Sequence, residues 1–473
     1  MTLPDAPHVE SAGSSRLSRR VQVGYATGSL VTGAFGTVPG LLLLPYLTDT
    51  LGIAAGLAGL LVLLPKAWDV VVNPIAGRIS DRTTSRWGAR RPYLLVGGLS
   101  LSVLFAAIFA GLFTGGAGAV WVCVAFLLAA TAFAFFQVPY VAMPADMTEA
   151  AGLRDEGGER TRMMTWRVAV LAVAILVSGA LAPEVRNAFG GRDGTFEGSI
   201  AGHRAMGIFV AALIVVGTLL VFFLTRDAPR GSVRESEHSL RAQLRVASGN
   251  KPFRVLVLCF VAQAAGVAAM LAGVQYFADH VLHDHSAVTL LFVCVVGPAI
   301  LVMPIWNRVG ARIGKLRGYV VASLMITGGT IALASALVLP VWAAYVIVGV
   351  IGCGYAGQQL FGLAMLPDCI AYDTIRTGKR QAGVFTGLWT AGETFGLALG
   401  PYIFGQTIAL FGYVPSTTGE AAPQTSTAEL GVLLGFTVVP GVVVGLALLF
   451  LRAYRLGPLP GPATAAMSGR APS

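Results

Sequence analysis

The chain has 473 residues, of which 55% are hydrophobic and only 12% charged, about half the charge of an ordinary soluble domain. Its 33 basic and 23 acidic residues are too few to clothe a soluble particle of this length, and the mean hydropathy is +0.73. These figures exclude a cytosolic enzyme, a disordered chain and a secreted disulfide scaffold. They leave a polytopic membrane protein.

In chain order, apolar runs long enough to cross a bilayer, roughly 20 residues each, fall near 23–47, 54–78, 93–113, 119–142, 164–182, 204–225, 253–278, 288–308, 319–339, 341–366, 383–410 and 430–451. The fold class expected is an all-α membrane protein with twelve transmembrane helices in two pseudo-symmetric six-helix bundles. Residues 21–225 form the first bundle and 253–451 the second, joined by a cytoplasmic loop over 226–252. The ends, 1–20 and 452–473, are polar or Gly/Pro-rich and are expected to be disordered cytoplasmic tails. Arg16, Arg19 and Arg20 precede no separate apolar core, so a cleavable signal peptide is not expected.

Charge sets the orientation. Twenty-eight of the 33 Lys and Arg residues lie in the N-terminal stretch, the C-terminal stretch and the loops after even-numbered spans. The opposite side holds only Arg186, Arg192 and Arg204, so both termini are expected in the cytoplasm, with the chain in the cell membrane. The +10 net charge therefore reads as topology, and no nucleic-acid partner is expected. The five cysteines (Cys123, Cys259, Cys294, Cys353, Cys369) have no metal spacing; four fall in spans and Cys369 in a polar loop. Pro74-Ile75-Ala76-Gly77-Arg78 and Pro304-Ile305-Trp306-Asn307-Arg308 end the second span of each half and hint at a repeat.

The stretch from Lys66 to Pro92 is the most informative. Gly77, Asp81, Arg82, Gly88, Arg90 and Arg91 resemble the signature between helices 2 and 3 of the major facilitator superfamily. With Trp68-Asp69, Ser85-Arg86-Trp87-Gly88, Pro45-Tyr46-Leu47-Thr48-Asp49-Thr50-Leu51-Gly52, Val138-Pro139-Tyr140, Arg160-Thr161 and Asp368 before Tyr372-Asp373, the chain resembles the glycoside-pentoside-hexuronide:cation symporters. The resemblance implies a secondary transporter working by alternating access, with substrate bound between two bundles. It also implies an inner gate, to which Asp81, Arg82, Arg90, Arg91, Asp146, Asp368 and Asp373 are assigned, the last three read as loop residues.

Ionisable residues inside a membrane are costly and usually face a cavity. Lys66 and Asp69 are spaced i,i+3 on the second span, with Asn73 one turn on; Gln137 ends the fourth span and Arg167 lies in the fifth. The resemblance makes Asp69 a cation-binding carboxylate, Lys66 the base before it and Arg167 the arginine of helix 5. Asn73 and Gln137 stand where relatives carry aspartates, and Gly33 lies near the place of a third. Amides supply oxygen without compensating charge, which disfavours a sodium site and leaves proton coupling through Asp69, or none. Lys66 and Arg167 are expected to neutralise Asp69. Glu393 and Thr394, beside the strip Gly392, Gly396 and Gly400, complete the candidate substrate and cation site.

Weaker signals remain. Gly352-Cys353-Gly354-Tyr355-Ala356-Gly357 matches a dinucleotide fingerprint but lies in an apolar span without βαβ context. Asp279, His280, His283, Asp284 and His285 crowd one loop and read as solvated rather than metal-binding. Gln263, Tyr276, Tyr355, Gln358, Gln359, Trp389 and Thr390 are open candidates for a polar pathway. No nucleotide-binding or hydrolase motif appears, so the chain is not expected to be an enzyme. A monomer in the lipid bilayer is expected, without cofactor or metal, moving a small solute, most simply a glycoside, with a proton. The alternatives are an uncoupled facilitator, or a carrier of a lysolipid-like or other apolar substrate. A non-transporting sensor and a membrane enzyme stand further off.

Overall fold

The computed structural model describes residues 17–150, 159–190, 195–229, 247–335, 339–378, 382–417 and 422–454. Most of the two expected tails and of the 226–252 loop lie outside these residues; the expected tail 1–20 is corrected at its end, where Arg19 and Arg20 begin the first helix. Helices are numbered here by membrane crossing: α1 (Arg19–Leu43), α2 (Ala55–Asp81), α3 (Arg91–Ile108), α4 (Gly115–Ala150), α5 (Glu159–Ala188), α6 (Phe196–Leu224), α7 (Lys251–His280), α8 (Ala287–Leu301 and Met303–Ile313), α9 (Lys315–Leu333), α10 (Val341–Thr377), α11 (Ala382–Leu410) and α12 (Ser426–Phe436 and Val438–Leu451). Ten of these segments are long and apolar enough to cross a membrane, and the bent α8 makes an eleventh. The 29-residue α11 completes the twelve expected from hydropathy.

Local chemistry sets the ends and breaks. Asn250, Thr195 and Thr425 cap α7, α6 and α12 by accepting backbone N–H groups of Phe253, Gly198 and Ala428, satisfying donors a first turn leaves free. Gly378 ends α10 in a left-handed conformation (φ 70°) that side-chain-bearing residues disfavour. Pro298 and Pro304 flank the break in α8, which bends by 42°, as expected where proline removes a helical hydrogen bond.

Six loop assignments are corrected. Asp146 lies on α4, Asp279 and His280 close α7, and Asp368, Cys369 and Asp373 lie on α10, not in loops. Helices α4 and α10 run 36 and 37 residues, well past the ends of their apolar runs. Hydropathy marks where a bilayer stops; it does not mark where a helix stops. Cys369 is fully buried.

One buried apolar cluster runs through both bundles and includes Phe35 packed against Phe105, Phe126 and Phe133; a further cluster lies within the second bundle, where Trp389 stacks on Phe260 at 4.2 Å. Large apolar side chains such as Val103, Val120, Ile208 and Trp342 are exposed, as the surface of a membrane protein requires. The bundles meet along three seams: α1 with α7, α2 with α11 and α5 with α8. Tight points include Gly40 against Leu271, Gly59 against Tyr402 and Gly179 against Phe292.

Candidate functional site

The membrane-embedded candidates fall on both bundles. Asp69, midway along α2, is 6% exposed, and its Oδ1 is buried without a hydrogen-bond partner. Lys66, one turn earlier, is half-buried and forms no ion pair with it. The expected neutralisation is thus an attraction across one helical turn, without direct contact. Helical side chains lean toward the N-terminus, which carries the long lysine away from the acid that follows it. The stabilising order on a helix is acid first, base second.

Arg167 does not reach Asp69 either, and that pairing is corrected. Its guanidinium lies 5.4 Å from the centre of the Tyr140 ring, and its Nε is buried without a partner. Its backbone carbonyl accepts from Ser29 Oγ at 3.0 Å, and Tyr140 donates to the Tyr25 carbonyl at 2.9 Å. Arg167 thus belongs to a node of α1, α4 and α5. Asn73 and Gln137 are half-buried, and Gln137 Oε1 has no partner. Val72 and Ala76 of α2 pack on Ala134 of α4, with Val138 alongside, so these amides sit on neighbouring helices. Gly33 packs tightly on Ala174 of α5 and leaves no room for a side chain; Gly36, one turn on, faces open space.

Across the molecule, Glu393 is half-buried and accepts from Gln359 Nε2 at 3.4 Å; Gln359 also donates to Tyr355 at 3.1 Å. Among the described residues it pairs with no base. Thr394 beside it is half-buried. Gly392, Gly396 and Gly400 press on Val261 and Ala268 of α7, whereas Gly383 and Gly387 face open space. Gln263 donates to Ser323 inside the bundle at 2.8 Å, and Trp389 is core. Gly352, Gly354 and Gly357 pack against α8 and α9, as close helix approach requires.

At the end carrying the basic loops, Arg90 binds Asp81 at 2.6 Å, Asp146 at 2.8 Å and Ser80 Oγ at 2.8 Å. This clamp fastens α2, the start of α3 and α4. Lys315 at the start of α9 binds Asp368 of α10 at 2.8 Å, the equivalent place in the second half. Asp373 pairs with Arg376 on its own helix at 2.9 Å. Arg82 is exposed, while Arg91 is buried and donates to the Phe222 carbonyl at 2.6 Å. Of the charges assigned to the inner gate, Asp81, Arg90, Asp146 and Asp368 are thus divided between two clamps internal to a bundle, and Arg82, Arg91 and Asp373 belong to neither.

The opposite end behaves differently. Among the described residues, the hydrogen bonds identified between the bundles fall in this half: Thr48 with Tyr276 and with Ser416, Tyr413 with Asp49, Arg186 with Gln275, Thr289 with Glu184 and the Ala180 carbonyl, and Gln406 with the Gly56 carbonyl. Sequence reasoning missed this seal. An acid closing an apolar run, Asp49, was its one visible signal. The histidine cluster belongs to the same region, and its expected solvation is corrected in part: the Asp279 side chain and His280, at the end of α7, are buried, while the exposed His285 pairs with Asp279 at 2.6 Å.

This arrangement of sealed far end, separate basic-end clamps and buried midway carboxylate belongs to a carrier. The model of the MFS/sugar transport protein family matches residues 24–457. The chain belongs to that family. It is 27% identical over 462 residues to an uncharacterized symporter, YnaJ, of Bacillus subtilis (94% of each chain). It is 24% identical to a glucuronide carrier protein homolog of Escherichia coli (94% of each). With the isoprimeverose transporter of Lactiplantibacillus pentosus it shares 24% identity over 87% of this chain and 83% of that protein. The nucleoside transporter NupG has the same fold, with a TM-score of 0.64 at 12% identity, covering 93% and 99% of the two chains. A bacterial homolog of the human lysosomal transporter Spinster, solved inward-facing and unoccupied, gives 0.65 at 15%, covering 93% and 98%. The architecture is the major facilitator fold, and the protein is a multi-pass secondary active transporter.

Proposed function

We propose that the protein is a symporter that moves a glycoside-like solute together with a proton through the cell membrane, without chemical turnover. The observation that carries the reading is Asp69, an enclosed carboxylate with an unpartnered oxygen and no ion pair. Leaving a carboxylate in such a place is costly unless it gains a proton or a cation. Asn73 and Gln137 add neutral oxygens but no second charge, which favours the proton over sodium. Gln359, Glu393 and Tyr355 provide amide, carboxylate and phenol groups suited to sugar hydroxyls, and relatives named for a glucuronide and for isoprimeverose point to the same class.

The end with the basic loops, and both termini with it, faces the cytoplasm in this reading, because arginine and lysine are retained on that side. The protein acts as a monomer in the bilayer, and no cofactor is needed. Purified protein in liposomes, offered a panel of radiolabelled glycosides under an inward pH gradient, tests the proposal. Accumulation that collapses with a protonophore is expected, whereas a substrate chemically altered after passage speaks for an enzyme. With a sodium gradient alone, no accumulation above that of empty vesicles is expected. Strong sodium-driven uptake overturns the coupling assignment.

A further inference from the structure

Beyond the end of α1 the chain makes a π-helical turn, Tyr46–Thr50, a geometry frequent at functional positions. The turn presents two adjacent polar residues to the second bundle. Thr48 Oγ1 lies 2.6 Å from the Tyr276 hydroxyl, and the Thr48 carbonyl accepts from Ser416 N at 3.0 Å. Asp49, 4% exposed, accepts a 2.8 Å hydrogen bond from the Tyr413 hydroxyl. His280 Nε2 lies 3.3 Å from that hydroxyl, and the Tyr276 and Tyr413 rings meet edge to face at 5.4 Å. A carboxyl group from one bundle is thus buried against phenols from the other.

We propose that Asp49 and Tyr413 are the latch of the outer gate, and that Asp49 takes a proton from the outside solution as the latch closes. The assignment of this end to the outside rests on the orientation proposed above. The proton passes from external water to the Asp49 carboxylate; Tyr413 keeps its own. It is returned to the same side when the latch opens, so this proton is distinct from one carried through the membrane.

The surroundings explain why closing draws in a proton. Burial pushes the Asp49 carboxyl up to about 7; the Tyr413 and Thr48 hydroxyls oppose that shift, Asp279 of α7 adds to it and Arg186 of α5 opposes it. Arg186 is itself held by Gln275 Oε1 at 2.7 Å, and Asp279 by His285 at 2.6 Å. Tyr276 of α7 also faces Asp49, and His280 of α7, beside Tyr413, is in turn influenced by His283 in the following loop and Glu429 of α12. When the bundles part at this end, water reaches Asp49 and its carboxyl returns toward the ordinary carboxylate range near 4. The closed state therefore holds the proton more tightly. Its advantage is complete below the open-state value, and is lost as pH rises toward about 7.

The test uses full-length protein in nanodiscs, where both ends meet the same pH and orientation does not matter. Spin labels on Leu112→Cys and Thr427→Cys, with the native cysteines replaced, report the separation of the bundles at this end. Between about pH 5 and about pH 7 the ratio of closed to open protein is expected to fall by up to tenfold per pH unit, then level off. Asp49→Asn should stay closed and lose that slope. Tyr413→Phe keeps the carboxyl but removes its donor, so it should lower the closed fraction while retaining the slope. An Asp49→Asn protein with the wild-type slope, a wild-type protein with no slope, or an unchanged closed fraction in Tyr413→Phe overturns the proposal. In liposomes, pH jumps on one side then identify which side supplies the proton. Action only from the side of the basic loops overturns the orientation and leaves the latch standing.

Discussion

Asp69→Asn protein is expected to reach the membrane in normal amount and to lose concentrative uptake by about tenfold or more. The amide keeps the volume of the carboxyl and removes only its charge. Asp69 makes no direct ion pair with Lys66 or Arg167 and leaves Oδ1 unpartnered, so the substitution takes from Lys66 an attraction across one helical turn rather than a contact. Folding should therefore survive. Downhill exchange of labelled substrate is expected to persist, since binding and the movement of the bundles do not require the charge. Normal accumulation by the variant would remove Asp69 from the coupling mechanism. Loss of uptake together with a large fall in thermal stability would make the residue structural.

The second large effect concerns the clamp at the basic end. Arg90→Ala leaves Asp81 and Asp146 facing a gap where one guanidinium served both, with side chains only 20% and 14% exposed. Removing one partner from a buried charge cluster costs about 3–5 kcal/mol; partial exposure here places the expected loss below that range, at about 2–3 kcal/mol. Lys315→Ala, at the equivalent place in the second bundle, removes a lysine that is 48% exposed and should cost under about 1 kcal/mol. Denaturant titration of the purified variants checks the contrast. Equal losses, or none for Arg90→Ala, would mean that the clamp is only a solvated cluster of topological charges.

The sequence disclosed the architecture because hydropathy and charge act over whole segments. Twenty apolar residues in a row have few alternatives in a bilayer, and the arginines and lysines mark one side throughout. Which residues stand in the candidate site was also legible, since Asp69, Lys66, Arg167 and Glu393 are conspicuous among apolar neighbours. Their partners were not. Lys66 and Asp69 share a helix face by spacing, yet rotamer direction separates them; Arg167 chose the face of Tyr140, which no spacing reveals. The latch was hidden for a related reason. Asp49 and Tyr413 are 364 positions apart and meet only because α1, α7 and α11 converge. Long-range polar contacts of this kind follow from the assembled fold, and local pattern carries almost no trace of them.

The two clamps have a mechanical consequence. Arg90 and Lys315 each tie helices of a single bundle, so neither resists the bundles' rotation against each other, while both stiffen the bundle they belong to. Each bundle then behaves as a lever whose arm runs from the basic end to the latch, ending at Asp49 in the first bundle and at Tyr413 in the second, with the α2–α11 and α5–α8 seams as fulcrum. A small tilt produced by solute in the middle is transmitted along an arm that does not flex. Softening one arm, as Arg90→Ala would, should let the solute move its own surroundings without moving the distant end, so that occupancy and opening drift out of step.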